Sequence, residues 1–277
     1  MTVPVNKIIP FSVVDGPGNR TSIFLQKCNI HCGYCHNPET QRMCVDCGIC
    51  VKGCPAGALA YREGKVCWDS EKCVQCDQCI AVCPNYATPK IRWMDAKEMF
   101  DEVRRSIPFI RGITVSGGEC MLYPEFLEEL FSLAHRESLS CLIDSNGMVP
   151  FERYQRLTEL CDGVMLDVKS WEKETYRRLT GASNENVKAN LRYLSEMDKL
   201  EEIRIVCLPG MVDAERTIDG IRKTIKEKVK TVRLKLITFR SFGVRGAFAQ
   251  YEAPGMIYME SLRKRAEENG FGNILVV

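Results

Sequence analysis

The sequence predicts an α/β fold, in which helices cover a mostly parallel β-sheet, together with a small cysteine-rich module. Apolar segments of strand length recur along the chain, segments with helical spacing lie between them, and 12 of the 16 cysteines fall between Cys28 and Cys83. Strands that alternate with helices usually pair in parallel. With 277 residues, 45% of them hydrophobic, the chain is long enough to bury a large core.

The predicted strands are seven short apolar segments. They lie at 21–26, 112–116, 139–143, 163–168, 203–208, 231–237 and 273–277. Together with the helices they make six or seven strand–helix units. Such units fit a closed or partly closed barrel and also an open doubly wound sheet, and periodicity alone does not choose between them.

Residues 124–138 are typical of an amphipathic helix. Its apolar face consists of Phe126, Leu127, Leu130, Leu133 and Ala134. Pro124 lies near the start of this segment, where the missing N–H costs nothing. Residues 186–197 and 254–268 have similar spacing, and we expect helices there as well.

The charge balance argues against a nucleic-acid or membrane partner. The chain has 38 Lys and Arg against 36 Asp and Glu, a net charge of +2. No apolar run reaches the roughly 20 residues that span a bilayer. Residues 1–18 lack the pattern of a secretory signal, so we expect a cytoplasmic protein whose clustered thiols bind metal. The four scattered cysteines are expected to be buried and inert: Cys120, Cys141, Cys161 and Cys207.

Polar or glycine-rich motifs follow five of the predicted strands. They are 116–119, 144–147, 167–169, 209–210 and 239–243. Because the carboxyl ends of parallel strands meet on one face, we expect these motifs to form one concave site.

Three cysteines form the first metal-binding motif, Cys28-x3-Cys32-x2-Cys35. A cubane iron–sulfur cluster needs four ligands, so three thiolates leave one iron open to a substrate. The alternative is a zinc site that takes a fourth ligand from His31 or His36, but the spacing does not suit a usual zinc pair.

Eight further cysteines form a duplicated motif, typical of bacterial two-cluster ferredoxins. In that pattern the fourth cysteine of each run binds the other cluster. The predicted ligand sets are Cys44, Cys47, Cys50 and Cys83 for one cluster, and Cys54, Cys73, Cys76 and Cys79 for the other. Cys67 lies outside both runs and is expected to be a spare thiol, the alternative being that it replaces one of the ligands.

The segment CNIHCGYCHNPET at 28–40 and the Asp-Gly-Pro-Gly-x-Arg turn at 15–20 carry a specific resemblance. Both are similar to motifs of glycyl-radical-enzyme activating enzymes of the radical S-adenosylmethionine superfamily. The chain most resembles the ferredoxin-insert type, in the branch with a Phe-Gly-Val-Arg-Gly loop, here 242–246. The resemblance implies a partial (β/α)6 barrel from 1–40 and 92–277, with a ferredoxin-like insert at 41–91 that holds two 4Fe–4S clusters.

The resemblance also implies roles for individual residues. Cys28, Cys32 and Cys35 would bind the catalytic 4Fe–4S cluster, the third cluster of the chain. The residues implied to contact S-adenosylmethionine are Tyr34, Gly117, Gly118, Glu119, Asp144, Ser145, Asp167, Lys169 and Arg204. Some members hold a monovalent cation near the residue that corresponds to Met165. Many relatives have a histidine that contacts the cofactor at the position of Arg240. Because arginine replaces it here, that contact to the cofactor stays open.

The implied reaction is reductive cleavage of S-adenosylmethionine, followed by removal of a Cα hydrogen from a glycine of a partner enzyme. The implied electron donor is reduced flavodoxin or ferredoxin, and the insert is either an electron relay or a docking module. Asp15, Gly16 and Arg20 are either peptide contacts or parts of a plain turn. Two other functions remain open: radical chemistry on a small molecule or ribosomal peptide, and electron transfer without catalysis.

Overall fold

The computed structural model describes residues 1–277, which form eleven β-strands and eight α-helices. The strands are β1 Val3–Ser12, β2 Arg20–Leu25, β3 Leu59–Arg62, β4 Lys65–Trp68, β5 Arg92–Met94, β6 Gly112–Gly117, β7 Ser140–Ser145, β8 Gly163–Asp167, β9 Leu200–Cys207, β10 Arg233–Thr238 and β11 Asn273–Val276. The helices are α1 Gln78–Ala81, α2 Ala96–Arg104, α3 Pro124–Arg136, α4 Gln155–Leu160, α5 Lys173–Thr180, α6 Glu185–Glu196, α7 Ala214–Ile225 and α8 Met256–Glu268.

Nine strands form one sheet in the order β11-β10-β9-β8-β7-β6-β2-β1-β5. The seven strands from β11 to β2 are parallel, which confirms all seven predicted strands and the parallel α/β class. β1 and β5 extend the sheet with antiparallel pairing and were not predicted. Their sequences are weak strand signals, because β1 contains Pro4 and Pro10 and β5 has only three residues.

The sheet is curved. β10 and β1 are six strand spacings apart, about 29 Å in a flat sheet. Yet Nζ of Lys235 on β10 donates a hydrogen bond of 3.2 Å to the carbonyl oxygen of Val14, just after β1. A lysine side chain cannot reach that far across a flat sheet. The two edge strands, β5 and β11, do not pair with each other, so the curved sheet remains open.

The helices bury their apolar faces against this sheet. All three helices predicted from spacing are present, as α3, α6 and α8. On α3, Leu133 is only partly buried and Phe131 is fully buried instead. The four scattered cysteines are buried, as predicted.

Residues 41–91 contribute nothing to the main hydrophobic core of 54 residues. This segment contains the β3–β4 hairpin, the short helix α1 and few buried apolar side chains, such as Ala58, Leu59 and Ala87. Apolar burial alone does not account for its folding. No helix anywhere in the structure combines the length and the hydrophobicity needed to cross a membrane.

Candidate active site

A cavity of about 270 Å³ lies at the carboxyl ends of the parallel strands. The cysteine loop after β2 forms one wall, and the ends of β6, β7, β8 and β9 contribute the polar side chains opposite. The predicted site residues that line it are Cys28, Cys32, Tyr34, Cys35, Gly117, Gly118, Asp144, Ser145, Asp167, Lys169 and Arg204. The motifs at 209–210 and 239–243 do not line it, so three of the five strand-end motifs meet here, not all five.

The cysteine loop is held in place by backbone hydrogen bonds to α5 and to Gln41, the first residue of the insert. The N–H of His31 donates to the Thr180 carbonyl (3.0 Å), and the N–H of Cys28 donates to the Gln41 carbonyl (3.0 Å). Burial raises the pKa of the Cys28 thiol to about 11 and that of Cys32 to about 12. Such thiols ionise when a metal ion supplies the compensating charge. Their burial in one loop therefore fits an iron cluster.

Tyr34 is buried in this wall, and its hydroxyl has no hydrogen-bond partner in the protein. The Lys169 ammonium lies 6.0 Å from the centre of its ring, and the Phe248 ring packs edge-on at 5.9 Å. A buried hydroxyl without a partner costs about 1–3 kcal/mol. The orphaned Tyr34 hydroxyl at the cavity therefore fits a polar ligand there.

Gly117 and Gly118 are glycines because the protein's own backbone approaches them. A Cβ at Gly117 would lie 2.1 Å from the Leu25 carbonyl oxygen, and Gly117 has a φ of +119°. A Cβ at Gly118 would lie 2.2 Å from the Lys27 carbonyl oxygen. These contacts join β6 to the start of the cysteine loop, so both glycines set the position of the cluster loop.

Glu119 lies behind the cavity wall and is not among the lining residues. Its Oε1 accepts hydrogen bonds from the N–H of Met121 (3.0 Å) and the hydroxyl of Ser145 (2.8 Å). Its Oε2 accepts from the N–H of Asn146 (2.8 Å). Burial raises the pKa of Glu119 to about 7, although these hydrogen bonds act to lower it. In this structure the carboxylate positions the loop after β7.

Asn146 was not predicted from the sequence, although it follows directly after Ser145. Its side-chain N–H donates to the Cys28 sulfur (3.5 Å) and to Oδ1 of Asn29 (2.9 Å). It therefore links the β7 end to the cysteine loop. Its place in the strand-end motif 144–147 is the sequence signal that could have identified Asn146 as a site residue.

Asp144 and Arg204 form a buried ion pair at 2.8 Å, and Asp144 also accepts a hydrogen bond from Ser116 at 2.9 Å. Arg204 binds Glu202 as well, at 2.6 Å. Burial acts to lower the pKa of Arg204, but Asp144 and Glu202 raise it overall. Arg204 also lies 3.1 Å from the Met165 sulfur. The positive charge between Asp144 and the Met165 sulfur is thus the Arg204 guanidinium. A monovalent cation near Met165 stays a prediction from the resemblance.

Asp167 and Lys169 form a second ion pair, at 2.5 Å, and both residues line the cavity. Burial acts to lower the pKa of Lys169, but Asp167 and the nearby Cys32 raise it. The lysine therefore stays protonated beside the cysteine loop and favours negative charge there.

Arg20 is buried, with 2% of its surface exposed, and so is not a peptide contact. It donates five hydrogen bonds, which go to Thr114, Pro17, Ile113 and twice to Ser140. Asp15 lines the cavity and accepts hydrogen bonds from the hydroxyls of Ser12 and Ser22. Arg20 therefore has a structural role, whereas Asp15 at the cavity stays either a peptide contact or part of the turn.

Arg240 does not occupy the cavity. Its side chain is exposed, and its carbonyl oxygen lies 2.9 Å from Nε2 of His36. The adjacent Phe239 ring stacks on the His36 ring at 6.2 Å. The segment after β10 therefore covers the back of the cysteine loop.

The eight remaining motif cysteines surround two smaller cavities in the insert. Cys44, Cys47, Cys50 and Cys83 line one, and Cys54, Cys73, Cys76 and Cys79 line the other. Cys79 also borders the first cavity, as expected for neighbouring sites. The exposed Cys67 on β4 lines neither.

Comparisons with known proteins agree with this geometry. Residues 22–219 match the model of the Radical SAM superfamily, which defines the class of the fold and site. The (2S)-3-sulfopropanediol sulfolyase activating enzyme of Bilophila wadsworthia is 31% identical over 280 residues, covering 92% of each chain. A putative glycyl-radical enzyme activating enzyme of Haemophilus influenzae is 28% identical over 297 residues, covering 99% of this chain and 97% of the relative.

Among solved structures, QueE from Escherichia coli shares the fold, with a TM-score of 0.59 and 13% identity over 100% of this chain and 94% of that one. The present chain therefore belongs to the radical SAM superfamily and, within it, to the glycyl-radical-enzyme activating enzymes. It is an enzyme of this type, and membership implies a 4Fe–4S cluster and S-adenosylmethionine.

Proposed function

We propose that this protein activates a partner glycyl radical enzyme. Cys28, Cys32 and Cys35 would hold a 4Fe–4S cluster, which would supply one electron for the cleavage of S-adenosylmethionine into methionine and a 5′-deoxyadenosyl radical. That radical would remove a hydrogen atom from a backbone glycine Cα of the partner, giving 5′-deoxyadenosine. The observation that carries this proposal is the set of three partly buried thiols, Cys28, Cys32 and Cys35, on one wall of the main cavity. A cubane held by three thiolates keeps one iron for a substrate.

The opposite wall suits S-adenosylmethionine. The ligand carries an ammonium, a carboxylate, a ribose and an adenine, and the wall offers charged and polar groups of both signs. We assign this binding to Tyr34, Gly117, Gly118, Glu119, Asp144, Ser145, Asp167, Lys169 and Arg204. Glu119 would act through the hydrogen bonds that hold Ser145 and Asn146.

We further propose that residues 41–91 are a ferredoxin-like domain with two 4Fe–4S clusters, inserted between the barrel segments 1–40 and 92–277. The two cavities, each lined by four cysteines of one predicted ligand set, support this assignment. So does the lack of an apolar core, which bound clusters would replace as the source of stability. The domain would relay electrons from reduced flavodoxin or ferredoxin to the catalytic cluster.

The test is anaerobic incubation of the reconstituted protein with S-adenosylmethionine, a reductant and a set of glycine-loop proteins. We expect 5′-deoxyadenosine and an electron paramagnetic resonance doublet on one partner. The control is that partner with its loop glycine changed to alanine, which should give no doublet.

Two outcomes would contradict the proposal. Turnover with a small molecule or ribosomal peptide, with no doublet on any glycine-loop protein, would support a different radical enzyme. No 5′-deoxyadenosine under any reducing condition would support an electron carrier.

A further inference from the structure

The two cavities of the insert differ in the polar groups that border them. Each has a backbone N–H that donates to a cysteine sulfur: Asp46 to Cys44 at 3.4 Å in the first, and Ala58 to Cys54 at 3.3 Å in the second. The first cavity is otherwise bordered mainly by apolar side chains. The second is bordered by Trp68.

Trp68 is the last residue of β4, where it pairs with Leu59. Its indole Nε1 is shielded from solvent and has no hydrogen-bond partner in the protein. An indole nitrogen only donates, and a buried donor without an acceptor destabilises the fold. Buried donors normally have partners, so an acceptor that is not part of the polypeptide is expected at this cavity.

Lys90 also borders the second cavity, but its charge is already compensated. Its ammonium donates one hydrogen bond to the carboxylate of Asp77 and another, of 3.0 Å, to Oε1 of Gln75. Of the side-chain polar atoms that border the two cavities, the indole Nε1 is therefore the one that is buried without a hydrogen-bond partner.

We propose that the Trp68 indole N–H donates a hydrogen bond to a sulfur atom of the iron–sulfur cluster bound by Cys54, Cys73, Cys76 and Cys79, and so gives this cluster a higher reduction potential than its neighbour. This inference rests on the proposed two-cluster insert. A cluster gains negative charge when it is reduced, and a donor aimed at sulfur stabilises that charge. The first electron that enters the insert therefore resides on the cluster next to Trp68.

The test compares the anaerobic holoprotein with its Trp68→Phe variant by potentiometric titration monitored by electron paramagnetic resonance. Phenylalanine keeps an aromatic ring and removes the N–H. The higher of the two insert potentials should become more negative, and the lower one should stay in place. The matched control is Trp93→Phe, because Trp93 on β5 is 60% exposed and borders neither cavity. Unchanged potentials in a Trp68→Phe protein with full iron content would overturn the inference.

A second measurement needs no variant. In wild-type protein labelled with indole-¹⁵N tryptophan, electron–nuclear double resonance of the reduced insert should show one exchangeable proton coupled to a cluster and bonded to the label. Absence of this coupling would overturn the inference, even if Trp68→Phe fails to assemble. Iron analysis distinguishes the failure of the proposed insert from the failure of the Trp68 inference. An insert without 4Fe–4S clusters would contradict the proposed domain. Intact clusters without the proton coupling would contradict only the role of Trp68.

Discussion

Glu119 combines full burial with three hydrogen-bond donors, and its protonation depends on the balance between them. Burial raises the pKa of Glu119 to about 7 from its ordinary 4.5, so the folded protein binds more protons than the unfolded chain between these values. Its contribution to stability is fully present below about pH 4.5 and is lost as the pH rises to about 7. The loss is at most about 1.4 kcal/mol per pH unit.

We therefore expect the midpoint of anaerobic thermal unfolding to decrease between pH 5 and 7 more steeply in the wild type than in Glu119→Gln. Glutamine cannot ionise, so its midpoint should lack this part of the slope. The exposed Glu129→Gln, on the surface of α3, is the control and should retain the wild-type slope. Identical slopes in all three proteins would show that Glu119 does not titrate in this range.

The tail segment, residues 239–251, is the element that joins the two parts of the molecule. On one side its Phe248 packs against Tyr34 of the cysteine loop. On the other side Arg245 donates a 2.7 Å hydrogen bond to the Ile80 carbonyl and lies 5.1 Å from the Tyr86 ring centre. The same segment therefore contacts the catalytic loop and the insert.

Replacing Arg245 by alanine should loosen the insert without unfolding the barrel. The lost hydrogen bond and cation–π contact together contribute about 1.5 kcal/mol, so hydrogen exchange at residues 78–86 should rise roughly tenfold. Exchange in β6 and β8 should not change. Arg240→Ala removes an exposed arginine from the same segment and is the matched control. Equal exchange in both variants would contradict a role for Arg245 in holding the insert.

At the scale of the whole molecule, the cysteines divide between three cavities, four buried positions in the barrel and the exposed Cys67. Cys28→Ala removes one of the three proposed cluster ligands at the main cavity but leaves both insert cavities intact. We expect the iron content to fall from about 12 to about 8 atoms per chain and 5′-deoxyadenosine formation to be lost. Iron analysis and product chromatography measure both.

Cys67→Ala is the control for this prediction, because Cys67 lines none of the three cavities. It should retain the full iron content and activity. Full product formation by Cys28→Ala, or loss of iron from Cys67→Ala, would contradict the assignment of ligands.

Much of the architecture could be predicted because it depends on local patterns. The seven parallel strands are short segments rich in apolar residues, and each is recognisable within its own residues. The central ones, such as β6 and β8, are buried on both faces of the sheet. The grouping of the eight insert cysteines likewise depends on short spacings. By contrast, β1 and β5 are strands because of their partners: β1 joins the sheet through β2, and β5 through β1. Edge pairing of this kind leaves a weak pattern in the sequence.

The sequence by itself determined the order of the seven parallel strands and of three helices, the grouping of the cysteines into three spacing motifs and the family resemblance, because each depends on residue spacing along one stretch of chain. Tertiary structure alone decided the environments of the site. Arg204 meets Asp144 across 60 residues, Arg20 is satisfied by residues up to 120 positions away, and Glu119 lies behind Ser145 rather than in the cavity. Burial and charge pairing depend on which distant segments pack together, and the spacing of residues along the chain does not show which segments those are.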